Sequence, residues 1–452
     1  MPPKKASLTI VTFGALMALL NFTNISRSFA PGAALDFRPR QTTQMTEAAP
    51  RLRPAAKARA KTPPAGPNLI DRRDSLKHFY QALWRSEARQ PGAVTRVLHY
   101  GDSPTTADSI TADVRSLLQQ HFGDAGHGFV LIAKPWAWYG HRGVEVHGKG
   151  WRIEAASQNR AKDGFHGLGG VSFEGGTGAE SHIALREDHA RAEIHYLLQP
   201  GGGILRVEAS GTLLGKINTD GEFKQPAFEM FQLPEGVREL DLTVESGPVR
   251  MFGVIFERNG PGVIYNSLGL NGGQVQMVLR CFERSQWAAE LQHEDPDLVV
   301  VNYGTNESLY ADYIERYYPN ELREVIRRIK AALPKSSILV MSPMDRGERD
   351  SSGQIVTAPT LPRLVEIQRQ IAAETGCAFF NTFQAMGGEG TMARWYDSQP
   401  RLVSADFMHP LPAGAKKVGV LLDQALETGF HEFKAREQEQ LAERATSGGS
   451  EQ

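Results

Sequence analysis

The chain has 452 residues, of which 50 are Lys or Arg, 51 are Asp or Glu and only 2 are Cys. This length suggests roughly two or three folded units with hydrophobic cores of their own. Two cysteines exclude a small fold held together by disulfides. A formal net charge of −1 argues against a nucleic-acid-binding protein, which would carry a strong excess of basic residues.

The charge is distributed unevenly along the chain. Residues 1–67 contain ten Lys or Arg and two acidic residues, a net charge of +8, so residues 68–452 must carry −9 to give the total of −1. The protein is therefore an acidic body joined to a basic N-terminal arm, and a basic arm can lie along an anionic membrane or cell-wall surface.

The arm begins with a pattern typical of export. Lys4 and Lys5 precede an uncharged run, 6–26, with an apolar centre, which predicts a signal peptide or N-terminal membrane anchor over 1–30. We favour an uncleaved anchor, although the apolar run is short for a full span of about 20 residues. The two lysines place the body outside the cytoplasm, in the periplasm or beyond. Residues 31–67 are rich in Ala, Pro and basic residues and predict a linker.

The body alternates strand and helix signals along most of its length. Hydrophobic periodicity predicts helices over 68–89, 106–122, 274–292, 310–333, 361–375 and 413–426. Short apolar runs predict buried strands over 95–100, 263–265, 298–303, 337–341 and 378–380. Strands that alternate with helices predict an α/β fold, with a doubly wound parallel sheet covered on both faces.

This rhythm is interrupted in the middle of the body. Residues 143–259 contain short alternating runs separated by Gly-rich breaks, which predict an inserted β-sandwich domain. The α/β domain is therefore predicted in two pieces, 68–142 and 260–430. Residues 431–452 are rich in Glu, Gln and Ser and predict an exposed polar tail.

Four groups of functional side chains fall at predicted strand ends or just before the last helix, where open parallel sheets place their sites. A hydroxyl nucleophile needs a base to take its proton, a carboxylate to orient that base, and donors for the developing oxyanion. Ser103, His409 and Asp406 fill the first three roles. The backbone N–H groups of Ser103 and Gly269 and the side-chain amide of Asn306 fill the last.

Each of these groups also has a simpler interpretation. Gly-Asp-Ser before Pro104 is a common turn sequence, and Gly269 is equally explained as a turn glycine. Asn306 suits the cap of a following helix, and Asp406 with His409 suits a surface pair. The catalytic interpretation is favoured because all four groups occur in the right order at predicted strand ends.

These four groups resemble the sequence blocks of the SGNH (GDSL-type) hydrolases over about 90–150 and 260–428. The resemblance implies a flavodoxin-like fold, with Ser103 as nucleophile and His409 as the base that later activates water. This sequence departs from the commonest pattern at two positions. Pro104 replaces an apolar residue or His, and Glu307 replaces Asp. We expect both departures to affect specificity only.

Two longer segments, 101–108 and 265–273, resemble a narrower branch, the periplasmic peptidoglycan and polysaccharide O-acetylesterases. That branch carries a β-sandwich, similar to a carbohydrate-binding module, at the same position. The resemblance implies a serine esterase that removes O-acetyl groups from a glycan, without a cofactor. Open alternatives are an O-acetyltransferase with the same triad, a lipid esterase or lysophospholipase, and a non-catalytic glycan-binding module. The sequence leaves the glycan and the oligomeric state open.

Three aromatic residues lie in a predicted loop near the nucleophile strand: Trp136, Trp138 and Tyr139. Their ring faces suit stacking on sugar rings, and packing between the two domains explains them equally well.

Two further residue types were assessed for metal binding and disulfides. No metal site is predicted, because five histidines in the first half of the body lack paired ligand spacing: His121, His127, His141, His147 and His166. The two cysteines, Cys281 and Cys377, are predicted as buried free thiols, with a disulfide as the alternative.

Overall fold

The computed structural model describes residues 68–447 of the chain. The predicted export segment and linker, 1–67, lie outside the described residues, as does the end of the polar tail. Within the described part, none of the helices combines the length and apolar character that crossing a membrane requires.

The strands are numbered in chain order as β1 Leu69–Ile70, β2 Val94–Gly101, β3 Gly126–Val130, β4 Val144–Ala155, β5 Val171–Leu185, β6 Arg191–Leu198, β7 Ile204–Ala209, β8 Thr212–Asn218, β9 Gln225–Gln232, β10 Glu239–Ser246, β11 Val249–Glu257, β12 Gly262–Gly269, β13 Leu298–Asn302, β14 Ser337–Met341, β15 Gly347–Arg349, β16 Ile355–Thr357 and β17 Ala378–Phe380. The helices are α1 Lys77–Glu87, α2 Ser103–Thr106, α3 Thr111–Phe122, α4 Val275–Arg280, α5 Arg284–Glu294, α6 Ala311–Arg316, α7 Tyr318–Ala332, α8 Leu361–Thr375, α9 Thr382–Ala385, α10 Thr391–Asp397 and α11 Pro412–Ser447. A single 3₁₀ turn covers Glu307–Leu309.

The first sheet has six strands in the order β1-β17-β14-β13-β2-β12. Five of its strands run parallel to one another: β17, β14, β13, β2 and β12. The short β1 is antiparallel to β17. Numbered along the chain, the parallel strands have the order 2-1-3-4-5, which is the flavodoxin-like order. The predicted α/β fold is confirmed.

Both faces of this sheet are buried, which explains why its strands are almost continuously apolar. Alternate residues of β2 enter different cores: Val97 packs with α1, α3 and α11, whereas Leu98 and Tyr100 pack in the core that includes α5, α7 and α8. The segments that follow the carboxyl ends of the strands therefore lie at one edge of the sheet.

The second sheet has nine antiparallel strands. Seven follow the order β8-β7-β10-β5-β11-β6-β9, while β3 pairs with β11 and β4 with β5. The 15-residue β5 pairs with β11 through Phe173–Gly175 and with β10 through Glu180–Ala184. The strand β5 therefore belongs to two groups of strands, one that continues through β10 and one that continues through β11. A long strand that passes from one sheet to another in this way is known from packed β-sheets. The sheet is separate from the parallel one and indicates an additional domain.

Three predicted helices are interrupted, and local chemistry explains two of the breaks. Asp108 has a left-handed φ of 50°, which ends α2 and separates it from α3. Pro319 occupies the first turn of α7, where its missing N–H is not needed, so a new helix begins there. The third prediction, 274–292, is split into α4 and α5.

The final helix is longer than predicted, because α11 continues from Pro412 to Ser447. Phe430 and Phe433 are buried and lie beside the rings of Tyr80 and Trp84. Apolar contacts with α1 thus extend the helix beyond residue 426. The two cysteines are free thiols, with Cys377 buried.

Candidate active site

Ser103 is the first residue of α2, immediately after the end of β2. A Cβ atom on Gly101 would lie 2.2 Å from Oγ1 of Thr105, so only glycine allows the chain to fold back so closely. Asp102 between them is buried. This tight turn places the Ser103 hydroxyl at the carboxyl edge of the sheet.

Gly269 ends β12, directly beside Gly101 in the parallel register. A Cβ atom on Gly269 would lie 2.0 Å from the backbone N of Thr106. The Thr106 hydroxyl donates a hydrogen bond to the Gly269 carbonyl at 2.5 Å. Gly269 therefore allows β12 to contact the backbone of the nucleophile turn.

The predicted nucleophile, base and carboxylate form a continuous hydrogen-bonded chain. Oγ of Ser103 lies 2.8 Å from Nε2 of His409, and Nδ1 of His409 lies 2.7 Å from Oδ2 of Asp406. The other carboxylate oxygen of Asp406 accepts hydrogen bonds from the backbone N–H groups of Met408 and His409, each at 3.0 Å. The carboxylate is thus fixed by its own turn, and it can hold the imidazole with Nε2 facing the serine.

The electrostatics of these side chains match this arrangement. Burial by itself would raise the pKa of the Asp406 carboxyl, but hydrogen bonds and charge from His409 hold it well below its usual value. Burial would lower the pKa of His409, but the hydrogen bond and charge of Asp406 raise it above its ordinary value. The His409 side chain is 44% exposed, so a substrate can approach the base.

Asp102 is a further titrating group beside the serine. Its burial raises the pKa of the carboxyl to about 6, against the opposing effects of a Thr305 hydrogen bond and the His409 charge. In the sequence, Asp102 is only the middle residue of a Gly-Asp-Ser turn. Its proximity to His409 is a product of the fold.

Asn306 follows β13, the strand on the other side of β2. Its side-chain amide does not cap the 3₁₀ turn that follows. Instead, Nδ2 donates a hydrogen bond to the carbonyl of Gly273 at 2.9 Å. Because an amide nitrogen carries two hydrogens, the second N–H is available to a ligand.

Glu307 contacts the end of the segment between β12 and α4, which also contains Gly273. Its Oε1 accepts a hydrogen bond from the backbone N–H of Val275 at 2.7 Å, and the side chain is completely buried. Burial raises the pKa of Glu307 to about 8, so the carboxyl is largely protonated at pH 7. Glu307, at the position where Asp is usual, therefore supports the loop between β12 and α4. This role could not be inferred from the sequence.

The same loop contains a second glycine that the sequence analysis passed over. Gly272 has a left-handed φ of 68°, and its N–H donates no hydrogen bond to any of residues 68–447. The signal was the Gly272-Gly273 pair, which predicts an exposed turn backbone. The loop thus offers an unpaired backbone donor next to the carbonyl that Asn306 contacts.

The three predicted aromatic residues have different surroundings. Trp136 and Tyr139 are buried, with 6% and 7% of their surfaces exposed, and the Tyr139 hydroxyl accepts a hydrogen bond from the N–H of Leu131. Trp138 is partly exposed and donates its indole N–H to Oδ1 of Asn271 at 3.1 Å. Of the three, Trp138 is the ring that lies against the loop between β12 and α4.

A serine, a histidine and an aspartate linked in this order at the carboxyl edge of a flavodoxin-like sheet define the class of α/β serine hydrolases. Within that class, residues 240–417 match the GDSL-like lipase/acylhydrolase family. Residues 240–417 therefore carry a domain of this family, in agreement with the resemblance found in the sequence. The matched residues include Gly269, Asn306, Asp406 and His409, whereas Ser103 precedes them because the second sheet is inserted.

The fold is similar to that of a solved peptidoglycan O-acetylesterase, with a TM-score of 0.71 and 22% sequence identity over 81% of this chain and 99% of the other. A putative GDSL-like lipase from Parabacteroides merdae matches with a TM-score of 0.29 and 20% identity over 38% of this chain and 74% of the other. No protein of curated function matches the sequence. The first similarity extends through both sheets.

Proposed function

We propose that the protein is a serine esterase that removes O-acetyl groups from a cell-wall or extracellular polysaccharide through an acyl-enzyme. The observation that carries this proposal is the chain from Ser103 through His409 to Asp406, with distances of 2.8 and 2.7 Å. Such a chain activates a hydroxyl for attack on an ester carbonyl.

The reaction begins when Nε2 of His409 takes the proton of Ser103 as Oγ attacks the acetyl carbonyl carbon. Asp406 stabilises the imidazolium through Nδ1–H. The oxyanion accepts hydrogen bonds from the N–H groups of Ser103 and Gly269 and from the free N–H of Asn306. His409 returns the proton to the departing sugar hydroxyl, and water then attacks the acetyl-enzyme with His409 again as base.

The substrate class is supported by the likeness to the peptidoglycan O-acetylesterase, which includes the inserted sheet. An open site fits a polymer, since the Asp406 and His409 side chains are 36% and 44% exposed. We assign the parallel sheet and its helices, including α11, to the hydrolase domain. The antiparallel sheet, which includes β3 and so begins before the predicted bounds of 143–259, is assigned to a glycan-contacting insert. The partly exposed Trp138 offers a ring for sugar stacking, whereas the buried Trp136 and Tyr139 support it.

An exported enzyme suits such a substrate. We propose that it acts in the periplasm or outside the cell, held near the membrane by the N-terminal segment predicted over 1–30. This part of the proposal rests on the sequence pattern alone.

The decisive experiment incubates the protein with O-acetylated peptidoglycan and, separately, with acetylated xylan, and measures released acetate. We expect release from at least one glycan, no release by Ser103→Ala, and a loss in kcat on the order of 10²–10³ for Asn306→Ala. Ser285→Ala, whose hydroxyl donates a hydrogen bond to Glu283 and contacts none of the three triad residues, serves as the control and should retain activity.

Three outcomes would contradict the proposal. Full activity of Ser103→Ala would exclude the serine mechanism. Acetyl transfer to an added acceptor glycan in place of acetate release would assign an O-acetyltransferase. Release of long acyl chains from lysophospholipid, with none of acetate from either glycan, would assign a lipid esterase.

A further inference from the structure

A second cluster of chemically competent side chains lies at the opposite edge of the parallel sheet from Ser103. Glu193 and His195 come from β6 of the inserted sheet, while His293 and Glu294 come from the end of α5. One potential ligand atom from each residue lies within 4.8 Å of all the others. Two distant parts of the chain thus bring two imidazoles and two carboxylates together.

Two of the separations within the cluster match those of a tetrahedral metal site. Zinc bonds of about 2.0–2.2 Å to nitrogen and oxygen place tetrahedral ligand atoms about 3.3–3.6 Å apart. Nε2 of His195 lies 3.4 Å from Oε2 of Glu193 and 3.6 Å from Oε1 of Glu294. Nε2 of His293 lies 3.0 Å from Oε1 of Glu193.

The buried imidazole of His195 is a second observation that points to a ligand. The side chain is 0% exposed, and its Nε2 atom makes no hydrogen bond within the described part of the chain. An unpaired buried polar atom is costly. Because this atom faces Glu193 and Glu294, a cation between them would satisfy it together with both carboxylates.

The surroundings orient His195 in the way that metal-binding histidines are oriented. Its Nδ1 lies 3.0 Å from Oε2 of Glu290, which is itself completely buried. A carboxylate on Nδ1–H fixes the tautomer and leaves the Nε2 lone pair for a metal. Phe228 stacks on His293 with ring centroids 3.5 Å apart and packs edge-on against His195, so both rings are held.

Charge and access are compatible with a divalent ion. Arg96 is the guanidinium that interacts with Glu193 and Glu294, and it is paired with Glu257 at 2.6 Å. The cleft beside the cluster is also lined by three arginines that are each paired with a carboxylate: Arg85 with Asp297, Arg191 with Glu257 and Arg258 with Asp124. The cluster opens into a cleft of about 560 Å³ that His293 and Glu294 help to line. An ion can therefore reach the site from solvent.

We infer that Glu193, His195, His293 and Glu294 form a structural site for a divalent transition-metal ion of the zinc class. All four positions are filled by the protein, as in structural rather than catalytic zinc sites. The ion fastens β6 of the inserted sheet to α5 of the hydrolase domain. Sequence spacing did not predict this site, because Glu193 and His195 lie about 100 residues before His293 and Glu294. Only the fold brings the two pairs together.

The test uses the full chain without a histidine tag, stripped by a chelator and then supplied with Zn²⁺. We expect one bound Zn²⁺ per chain by mass spectrometry of the metal, a higher Tm with Zn²⁺ than without, and the visible absorption of tetrahedral Co²⁺ when Co²⁺ replaces it. Glu290→Gln should weaken Zn²⁺ binding by about 10–100-fold through its effect on His195.

His293→Ala removes a ligand whose side chain is 32% exposed, so this variant should fold, which circular dichroism checks; it should lose stoichiometric Zn²⁺. The matched control is His182→Ala, an exposed histidine 2.7 Å from Asp241 on the same sheet, which should bind Zn²⁺ like the wild type. Binding well below one equivalent by the wild type would overturn the inference, as would an equal loss of Zn²⁺ in both variants. Ser103→Ala should keep its metal, which separates this test from that of the esterase.

Discussion

Ser103 and His409 are separated by 306 positions in the sequence, yet their side chains meet at 2.8 Å. The hydrogen bond alone does not define the chemistry, since exposed serines often contact histidines. The distinctive feature is the third member, because Asp406 binds the far side of the imidazole and two backbone N–H groups of its own turn. The imidazole of His409 is therefore held in one orientation by the fold itself.

The first prediction concerns the pH dependence of hydrolysis. His409 must be neutral to accept the proton of Ser103, and Asp406 raises its pKa above the ordinary value of about 6.5. We expect kcat/KM for an acetyl ester to be lost as pH falls through this raised pKa and to be fully present above it. In Asp406→Asn the midpoint should move to lower pH, and kcat should fall by on the order of 10⁴.

A pH profile with the same midpoint in both proteins would exclude this coupling. Asp397→Asn provides a control carboxylate, in α10, that should leave the midpoint where it is in the wild type. Because Asp102 has a pKa raised to about 6, the acidic limb of the wild-type profile should be fitted with two ionisations.

At the scale of elements, three strand ends build the site. The turn after β2 carries Ser103, the proposed nucleophile, and the loop after β12 carries glycine amides. The segment after β13 supports that loop through Asn306 and Glu307. Gly269 is the contact point between the first two, since its Cα packs against the backbone of Thr106. The backbones of β12 and α2 therefore lie so close together that the contact leaves no room for a side chain at Gly269.

The second prediction tests this contact with Gly269→Ala. The added methyl would lie 2.0 Å from the N atom of Thr106, so β12 and α2 must separate. We expect a loss of about 1–3 kcal/mol in the free energy of unfolding and a loss of activity, because Ser103 moves with α2. Chemical denaturation and acetate release measure the two effects.

Gly176→Ala is the matched control for that variant. A Cβ atom at Gly176 meets nothing within 4 Å, so both stability and activity should stay close to wild type. Equal behaviour of the two variants would show that the close approach at Gly269 is not needed.

At the scale of the whole molecule, distant helices cover one face of the parallel sheet. The 36-residue α11 crosses α1 and α3, and Phe430 lies edge-on to Phe122 with ring centroids 5.1 Å apart. Phe433 contacts the rings of Tyr80 and Trp84. The last helix thus belongs to the core of the hydrolase domain over most of its length.

The third prediction is that Phe430→Ala lowers the free energy of unfolding by about 3–5 kcal/mol, because the ring is completely buried and leaves a cavity. Leu441→Ala in the same helix, where the side chain is 56% exposed, should change it by no more than about 0.5 kcal/mol. Guanidinium denaturation of both variants measures the difference. Comparable losses would contradict the packing of α11 described here.

Local periodicity predicted much of the α/β domain, and β14, α8 and β17 have the bounds expected from the sequence. Their apolar runs are decided by neighbours along the chain, which is why single-sequence reasoning found them. The second sheet was less well predicted. Its strand β3 lies before residue 143, outside the predicted bounds, and was missed because the Gly126-His-Gly segment has no alternating pattern. The pairing of β5 with both β10 and β11 likewise depends on long-range contacts.

The sequence by itself determined the features that depend on residue type and order: the α/β class, the resemblance to the SGNH hydrolases, and Ser103, Asp406 and His409 as the candidate triad. Only the tertiary structure decided that Asn306 and Glu307 hold the loop beside the serine, that Trp136 and Tyr139 are buried, and that β6 meets α5. The physical reason is range. Motifs and periodicity are local in sequence, whereas burial, electrostatic shifts and clusters of ligands arise from residues that only folding brings within a few ångströms.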